Sequence, residues 1–373
     1  MNKLYKWCLL SCMAATLSSC NDFLTEENPS GLTADTFYKT ESGAEALINS
    51  CYTPLRFWYG QEYATSMTEL GTDIFTRGNG CAEAELSDYN SSLQGSSNAI
   101  TKEWERLYSA LNTCNTALNR LPDSELSASV KDIRMGEAYF LRALYLWHIV
   151  ETWGGVYLTT EECTEPSGYV YRSSEEDFYT QIIADLKEAV AKLPASTSDY
   201  GRATKGAALA YIARTKLYAA SKLNNPSMDR KKWEDARDAL SAVMGLNIYD
   251  LYYDTQNPEL SYAHYFCERK TKENIYTYLL AANATMHSNL PQGAPWNEKS
   301  YVGCTPTQNL VDAYDMKDGT EPITGYDANG QPIINKNSGY DDKNPYENRD
   351  PRLKMTIFYH GNTFDLNGSQ QAL

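Results

Sequence analysis

Four histidines, His148, His264, His287 and His360, are the first residues to weigh for chemistry. None stands in an HExxH pair or in another spacing that converges two imidazoles on a metal. No GxSxG elbow, P-loop or GxGxxG turn occurs, so the common nucleophile and phosphate motifs are missing. Glycoside hydrolysis needs two opposed carboxylates, and an acidic chain offers many carboxylates without marking a pair. Beyond the first twenty residues the cysteines are Cys51, Cys81, Cys114, Cys163, Cys267 and Cys304, scattered and without a CxxC pair, so thiolate metal spacing is absent too. Cys51 and Cys114 fall inside helical patterns and read as small hydrophobes, and no disulfide is assigned. Asp327-Ala328-Asn329-Gly330 tempts a calcium reading, but the rest of an EF-hand loop is missing and the stretch reads as a hairpin turn between Ile323 and Ile334. These residue types predict binding without turnover, and no cofactor.

Whatever site exists must be held by helices. The apolar spacing predicts them over Ala44–Tyr59, over Lys102–Leu121 with Trp104, Leu107, Leu111 and Leu118 on one side, and over Val130–Trp153. The last carries two stripes, Ala138, Leu141 and Tyr145, then Phe140, Leu144 and Trp147, which predicts a helix sandwiched between neighbours. Ser173 with Glu176 reads as a capping box opening a helix that runs to Leu193, before Pro194. Thr204–Leu223 and Asp229–Met244 form a last pair. Gly154-Gly155 reads as a C-cap, Thr204 as an N-cap, and Asp350-Pro351 as a turn. Helix pairs rich in Ala, Tyr and Leu predict a mainly α, tetratricopeptide-like scaffold with long irregular loops and a few short strands, although the ~34-residue period is not kept. The segments 60–100, 154–172 and 245–307 are long enough to be functional loops. Asn274–Leu280 reads as a strand.

Composition narrows the partners. The chain has 373 residues, with 29 Tyr against 9 Phe and a formal net charge of -15. Tyrosine suits half-wet surfaces and sugar contact, and equally a helical core. Removing residues 1–19 leaves 31 basic and 48 acidic residues, or -17. That excludes nucleic acid and electrostatic docking on anionic lipid, and it favours a neutral ligand. Lys3 and Lys6 followed by the apolar run Trp7–Leu17 make a secretory signal. It ends in Leu17-Ser18-Ser19-Cys20, which resembles the lipobox of bacterial lipoproteins, with Cys20 the lipidated residue. Residues 20–31 follow as a tether.

A family resemblance covers nearly the whole chain. It rests on Ser19-Cys20-Asn21-Asp22-Phe23-Leu24, on Trp104-Glu105-Arg106-Leu107-Tyr108 with Cys114-Asn115, and on Gly136-Glu137-Ala138-Tyr139-Phe140-Leu141-Arg142-Ala143 continued by Trp153-Gly154-Gly155-Val156. It continues through Gly201-Arg202-Ala203-Thr204-Lys205-Gly206, Pro306-Thr307, Leu310-Val311-Asp312 and Asn348-Arg349-Asp350-Pro351-Arg352-Leu353. In family order these segments resemble the SusD/RagB lipoproteins. The resemblance implies a helical scaffold with an irregular face that captures glycans, or peptides in the RagB branch. It also implies an outer-membrane, cell-surface location through the lipid anchor and a SusC-like TonB-dependent transporter as partner. Two loop regions offer the mix of rings and planar polar groups that a sugar needs. One holds Asp73, Phe75, Arg77, Asn79 and Tyr89; the other holds Asn289, Trp296, Asn297 and Tyr301, with Trp296 the expected stacking platform. The expected division is a signal at 1–19, a tether at 20–31, a helical domain at 32–245 and the start of a C-terminal domain at 246–373. The family usually continues past the last motif, so the C-terminal part is expected to be truncated. A surface-anchored glycoside hydrolase and a protein-interaction scaffold are the competing functions.

Overall fold

The computed structural model describes residues 33–56, 72–77, 98–163, 168–279, 304–366 and 369–372. Its frame is a run of helices: α1 (Ala34–Phe37), α2 (Glu41–Tyr52), α3 (Asn98–Arg120), α4 (Ala128–Trp153), α5 (Glu175–Lys192), α6 (Lys205–Ala220) and α7 (Arg230–Met244). From α2 onward each helix packs against the next in sequence, and α2 also reaches α4. Neighbour-on-neighbour stacking is the pattern of a helical repeat scaffold. The protein is mainly α, as the periodicity predicts.

Helix α4 shows why. Both of its apolar stripes are buried, with Phe140, Leu141, Tyr145 and Trp147 at 1% exposure or less. Large side chains buried this fully contribute about 1.5–3 kcal/mol each relative to exposure. Its neighbours α3 and α5 cover the two faces. Helix α6 supplies small residues instead: Ala207, Ala208, Ala213 and Ala220 are buried, which lets α5 and α7 approach closely. Tyrosine serves this interior through its polar tip. The Tyr145 hydroxyl donates to Cys51 O at 2.6 Å, and Tyr108 donates to Tyr157 O at 2.6 Å. Cys51 and Cys114 are buried free thiols in the same core.

The helix ends refine the sequence boundaries. Thr40 caps α2 by accepting from Gly43 N, and α2 stops at Tyr52 rather than Tyr59. Pro54 has no N–H to extend the ladder, and residues 57–59 lie outside the described residues. The capping box of α5 sits one residue later than Ser173 and Glu176. Ser174 Oγ accepts from Asp177 N, and the Asp177 carboxylate accepts from Ser174 N. Ser173 is not available as a cap because its N–H donates to Val156 O at 2.8 Å. That contact runs beside Gly154, whose φ is +66°, and Gly155, where a Cβ would lie 2.3 Å from Ser173 O. The pair ends α4 and lets the chain fold back, as expected of a C-cap. Thr204 caps α6, which ends at Ala220 rather than Leu223, and Asp229 caps α7.

After α7 the chain becomes irregular. Helices are short: α8 (Ser261–Cys267), α9 (Gln308–Asp312) and α10 (Pro351–Thr356). Strands come as two-stranded ribbons: β1 (Phe75–Arg77) with β2 (Cys304–Pro306), β3 (Ile323–Tyr326) with β4 (Pro332–Ile334), and β5 (Thr363–Leu366) with β6 (Ser369–Ala372). The β3–β4 hairpin turns at Asp327, whose Oδ1 accepts from the N–H groups of Asn329 and Gln331 at 2.8 and 2.9 Å. The strand expected at Asn274–Leu280 is not formed in the described part, 274–279. Its alternating rings pack on the helices instead, with Tyr276 4.9 Å from Phe140 between ring centroids. Asp350 is the N-cap of α10, with Pro351 as the first helical residue, so the segment opens a helix rather than a plain turn. Val311, Leu353 and Ile357 form a small second core there, flanked by Tyr346 and Tyr359 stacked at 3.9 Å.

Candidate functional site

One ribbon joins the long segments 60–100 and 245–307. Strand β1 pairs antiparallel with β2, setting Phe75 opposite Pro306, Thr76 opposite Thr305 and Arg77 opposite Cys304. Cys304 is three residues past Tyr301 in the chain. Thr307 locks the junction. Its N–H donates to Ile74 O at 2.9 Å and its hydroxyl donates to Asp73 O. The same side chain accepts from Leu310 N and so caps α9. Asp73 is exposed and Phe75 half-buried beside this junction. Of Arg77 only the backbone is described. Asn79, Tyr89, Asn289, Trp296, Asn297 and Tyr301 lie outside the described residues.

Just after the Thr307 junction lies a polar cluster that the sequence reading missed. Asp312, buried on α9, accepts from Gln308 Nε2 and from the Tyr326 hydroxyl, both at 2.8 Å. Burial and the neighbouring Asp312 carboxylate push the Tyr326 hydroxyl up to about 12, so it stays a proton donor at neutral pH. Arg349, also buried, donates to the carbonyl oxygens of Val311, Tyr314 and Pro345, while its Nε has no hydrogen-bond partner among the described residues. Its guanidinium lies 5.4 Å from the Tyr340 ring centroid. The described part of this face therefore presents a ring, a carboxylate and hydroxyls on a fixed backbone. Such groups hydrogen-bond and stack.

Behind the face, buried charges tie the recognisable motifs together. Arg142 on α4 donates from Nε and Nη2 to Asp185 on α5 at 2.7 and 2.6 Å, and from Nη1 to Asn115 Oδ1 on α3 at 3.2 Å. Asn115 then donates to Glu161 O at 2.9 Å, which pins the loop after α4. Glu137 accepts from Arg134 at 3.0 Å and from Arg202 at 2.9 Å, and Arg202 also donates to Asn49 on α2 and to Asp199. Burial pushes the Glu137 carboxyl up to about 7, against the opposing pull of Arg202 and Arg134. Burial likewise raises Asp185, against Arg142. The sequence signal was present: Glu137 and Arg142 are charges inside a helix that is apolar on two sides. Reading Arg202 only as part of a cap motif hid its reach across three elements.

The comparisons agree with this layout. A family model described as SusD-like, starch-binding and associating with the outer membrane matches residues 22–217, and one described as the SusD family matches residues 264–372. SusD-like protein P25 of Formosa agariphila is 26% identical over 274 residues, covering 69% of this chain and 49% of that protein. A SusD-like protein of Bacteroides ovatus is 26% identical over 263 residues, covering 67% of this chain and 46% of the relative. The crystal structure of a SusD-like protein from Bacteroides fragilis superposes with a TM-score of 0.71 at 27% identity, covering 91% of this chain and 65% of that one. The chain spans about half the length of the curated relatives it matches.

Proposed function

The chain belongs to the SusD family, and from that premise we propose that it is a surface lipoprotein that captures a glycan and passes it to a SusC-like TonB-dependent transporter. The observation that supports the reading is the β1–β2 ribbon, which pairs Phe75–Arg77 with Cys304–Pro306 and so links the chain segments in which the candidate residues fall. The family's description as starch-binding and outer-membrane-associated supports the glycan and the location. Cys20 holds the lipid, 1–19 is the leader, 20–31 the tether, 32–245 the helical domain, and 246–373 belongs to a C-terminal domain. Binding without turnover is the reading that the family's description as starch-binding supports.

Trp296 is the proposed platform, and Tyr301, Asn289, Asn297, Asp73, Phe75, Arg77, Asn79 and Tyr89 are the proposed further ligand contacts. Sugar hydroxyls exchange water bonds for protein bonds at small net gain, so the ring face must supply much of the affinity. Losing it costs about 2 kcal/mol, or roughly thirtyfold. In an affinity gel with a neutral glycan, Trp296→Ala is expected to remove retardation while the helical circular dichroism signal stays, and Arg77→Ala to weaken retardation less. Retention of full retardation by Trp296→Ala places the site elsewhere. Sustained release of reducing ends from the same glycan by the purified chain ends the binding-only reading. Cys20→Ala should move the protein from the membrane to the soluble fraction.

A further inference from the structure

The segment 270–277 leaves a cleft where it passes the loop before α6. Between that loop, residues 248–249 after α7 and the segment itself lies a cavity of about 420 Å³. Small-ligand sites occupy roughly 300–1,000 Å³, so the volume suffices for a sugar-sized molecule. Two half-buried rings, Tyr200 and Tyr249, line it. Both are held in place. The Tyr200 hydroxyl donates to Thr277 Oγ1 at 3.4 Å, and Tyr249 lies so close to α6 that a Cβ on Gly206 would collide with its hydroxyl oxygen.

Lys270 and Lys272 line the cavity, and Lys270 Nζ sits 5.2 Å from the Tyr200 ring centroid. Neither lysine has an ion-pair partner among the described residues. Asp199 is paired with Arg202, while Glu273 and Asp250 accept from the N–H groups of Tyr252 and Leu251. Arg202 also lines the cavity, but its guanidinium is held by Glu137, Asp199 and Asn49.

We propose that this cleft binds an anionic sugar, a pyranose bearing a carboxylate, with its ring against Tyr200 and Tyr249 and its carboxylate at Lys270 and Lys272. The apolar CH face of a pyranose suits a tyrosine ring, and an ammonium–carboxylate contact is a charge-assisted bond of the stronger kind. The lysines are exposed, so salt screens the contact over a Debye length of about 8 Å at 0.15 M. The cleft shares no residue with the β1–β2 face, and its ligand class differs from the neutral glycan proposed there.

Calorimetric titration of the full chain with a galacturonate trimer, a neutral galactose trimer and inorganic sulfate tests the site. The uronate trimer is expected to bind about tenfold or more tightly than either of the others, and to weaken as salt rises. Lys270→Ala/Lys272→Ala should weaken uronate binding about tenfold or more, and Lys270→Arg/Lys272→Arg should largely restore it. Tyr200→Ala should weaken it as well. Equal affinity for the neutral trimer overturns the carboxylate, and equal competition by sulfate overturns the sugar. Uronate binding that survives the double alanine variant overturns the site. A chain that is retarded by neutral glycan but binds no uronate overturns the cleft alone and leaves the β1–β2 face standing.

Discussion

The helical stack and the region after α7 solve the same packing problem by different means. In the stack, one continuous core runs from Ala44 to Ile212 and encloses an ion pair between α4 and α5, with hydrogen bonds from its arginines to Asn115 on α3 and Asn49 on α2. After α7 the separate core is Val311, Leu353 and Ile357 with a rim of tyrosines, and side-chain-to-backbone bonds do much of the holding. Charge is buried in both, but differently. Arg142 meets a carboxylate in the stack, whereas Arg349 meets carbonyl oxygens and leaves one nitrogen unpaired. The contrast is between a frame in which buried charges meet opposite charges across helices and a region in which a buried charge is held by backbone carbonyl oxygens.

The largest expected effect breaks the frame. Arg142→Ala leaves the Asp185 carboxylate buried with Gln181 as its remaining side-chain partner, and removing one member of a buried pair costs about 3–5 kcal/mol. Urea unfolding measures it, and a loss below about 1 kcal/mol would show that the ion pair is incidental to the frame. Next in size is a pH effect. Burial raises Glu137 from 4.5 to about 7, so the folded chain holds a proton there that the unfolded chain releases. Stability from this group is therefore fully present below about pH 4.5 and declines as pH rises toward 7, by on the order of 2 kcal/mol. Urea midpoints at pH 5 and pH 8 should differ less in Glu137→Gln than in the parent, and an unchanged difference would remove Glu137 as the source. The smallest effect falls in the other region. Tyr326→Phe takes one bond from Asp312 and should cost about 1 kcal/mol, seen as faster hydrogen exchange around α9 without a shift in the amides of α4. Equal acceleration in α4 would mean that the two regions unfold as one.

The frame was legible because its information is local. Apolar spacing marked α3, α4, α5 and α7 to within a few residues, and Thr204 is the cap that its side chain suggested. Local reading failed where a distant partner decides. Ser173 is a plausible cap until its N–H is seen on Val156 O. Tyr276 and Tyr278 alternate like strand residues, but a strand needs a ladder partner, and the helices were there to take the rings. At the candidate face the residue types of both loops were visible, yet their pairing was not, since register between segments so far apart leaves no trace in either one. The Asp312–Tyr326 cluster escaped for the same reason.

The β1–β2 ribbon has a kinetic consequence. The Thr307–Asp73 bond beside it spans 234 positions of chain. Closing so long a loop carries an entropy cost that a three-residue ribbon offsets poorly, unless folded structure has already brought its ends together. The helices between the two strands form from near neighbours and can assemble first. The face is therefore among the last parts of the protein to form, and its amides should be among the first to exchange under native conditions.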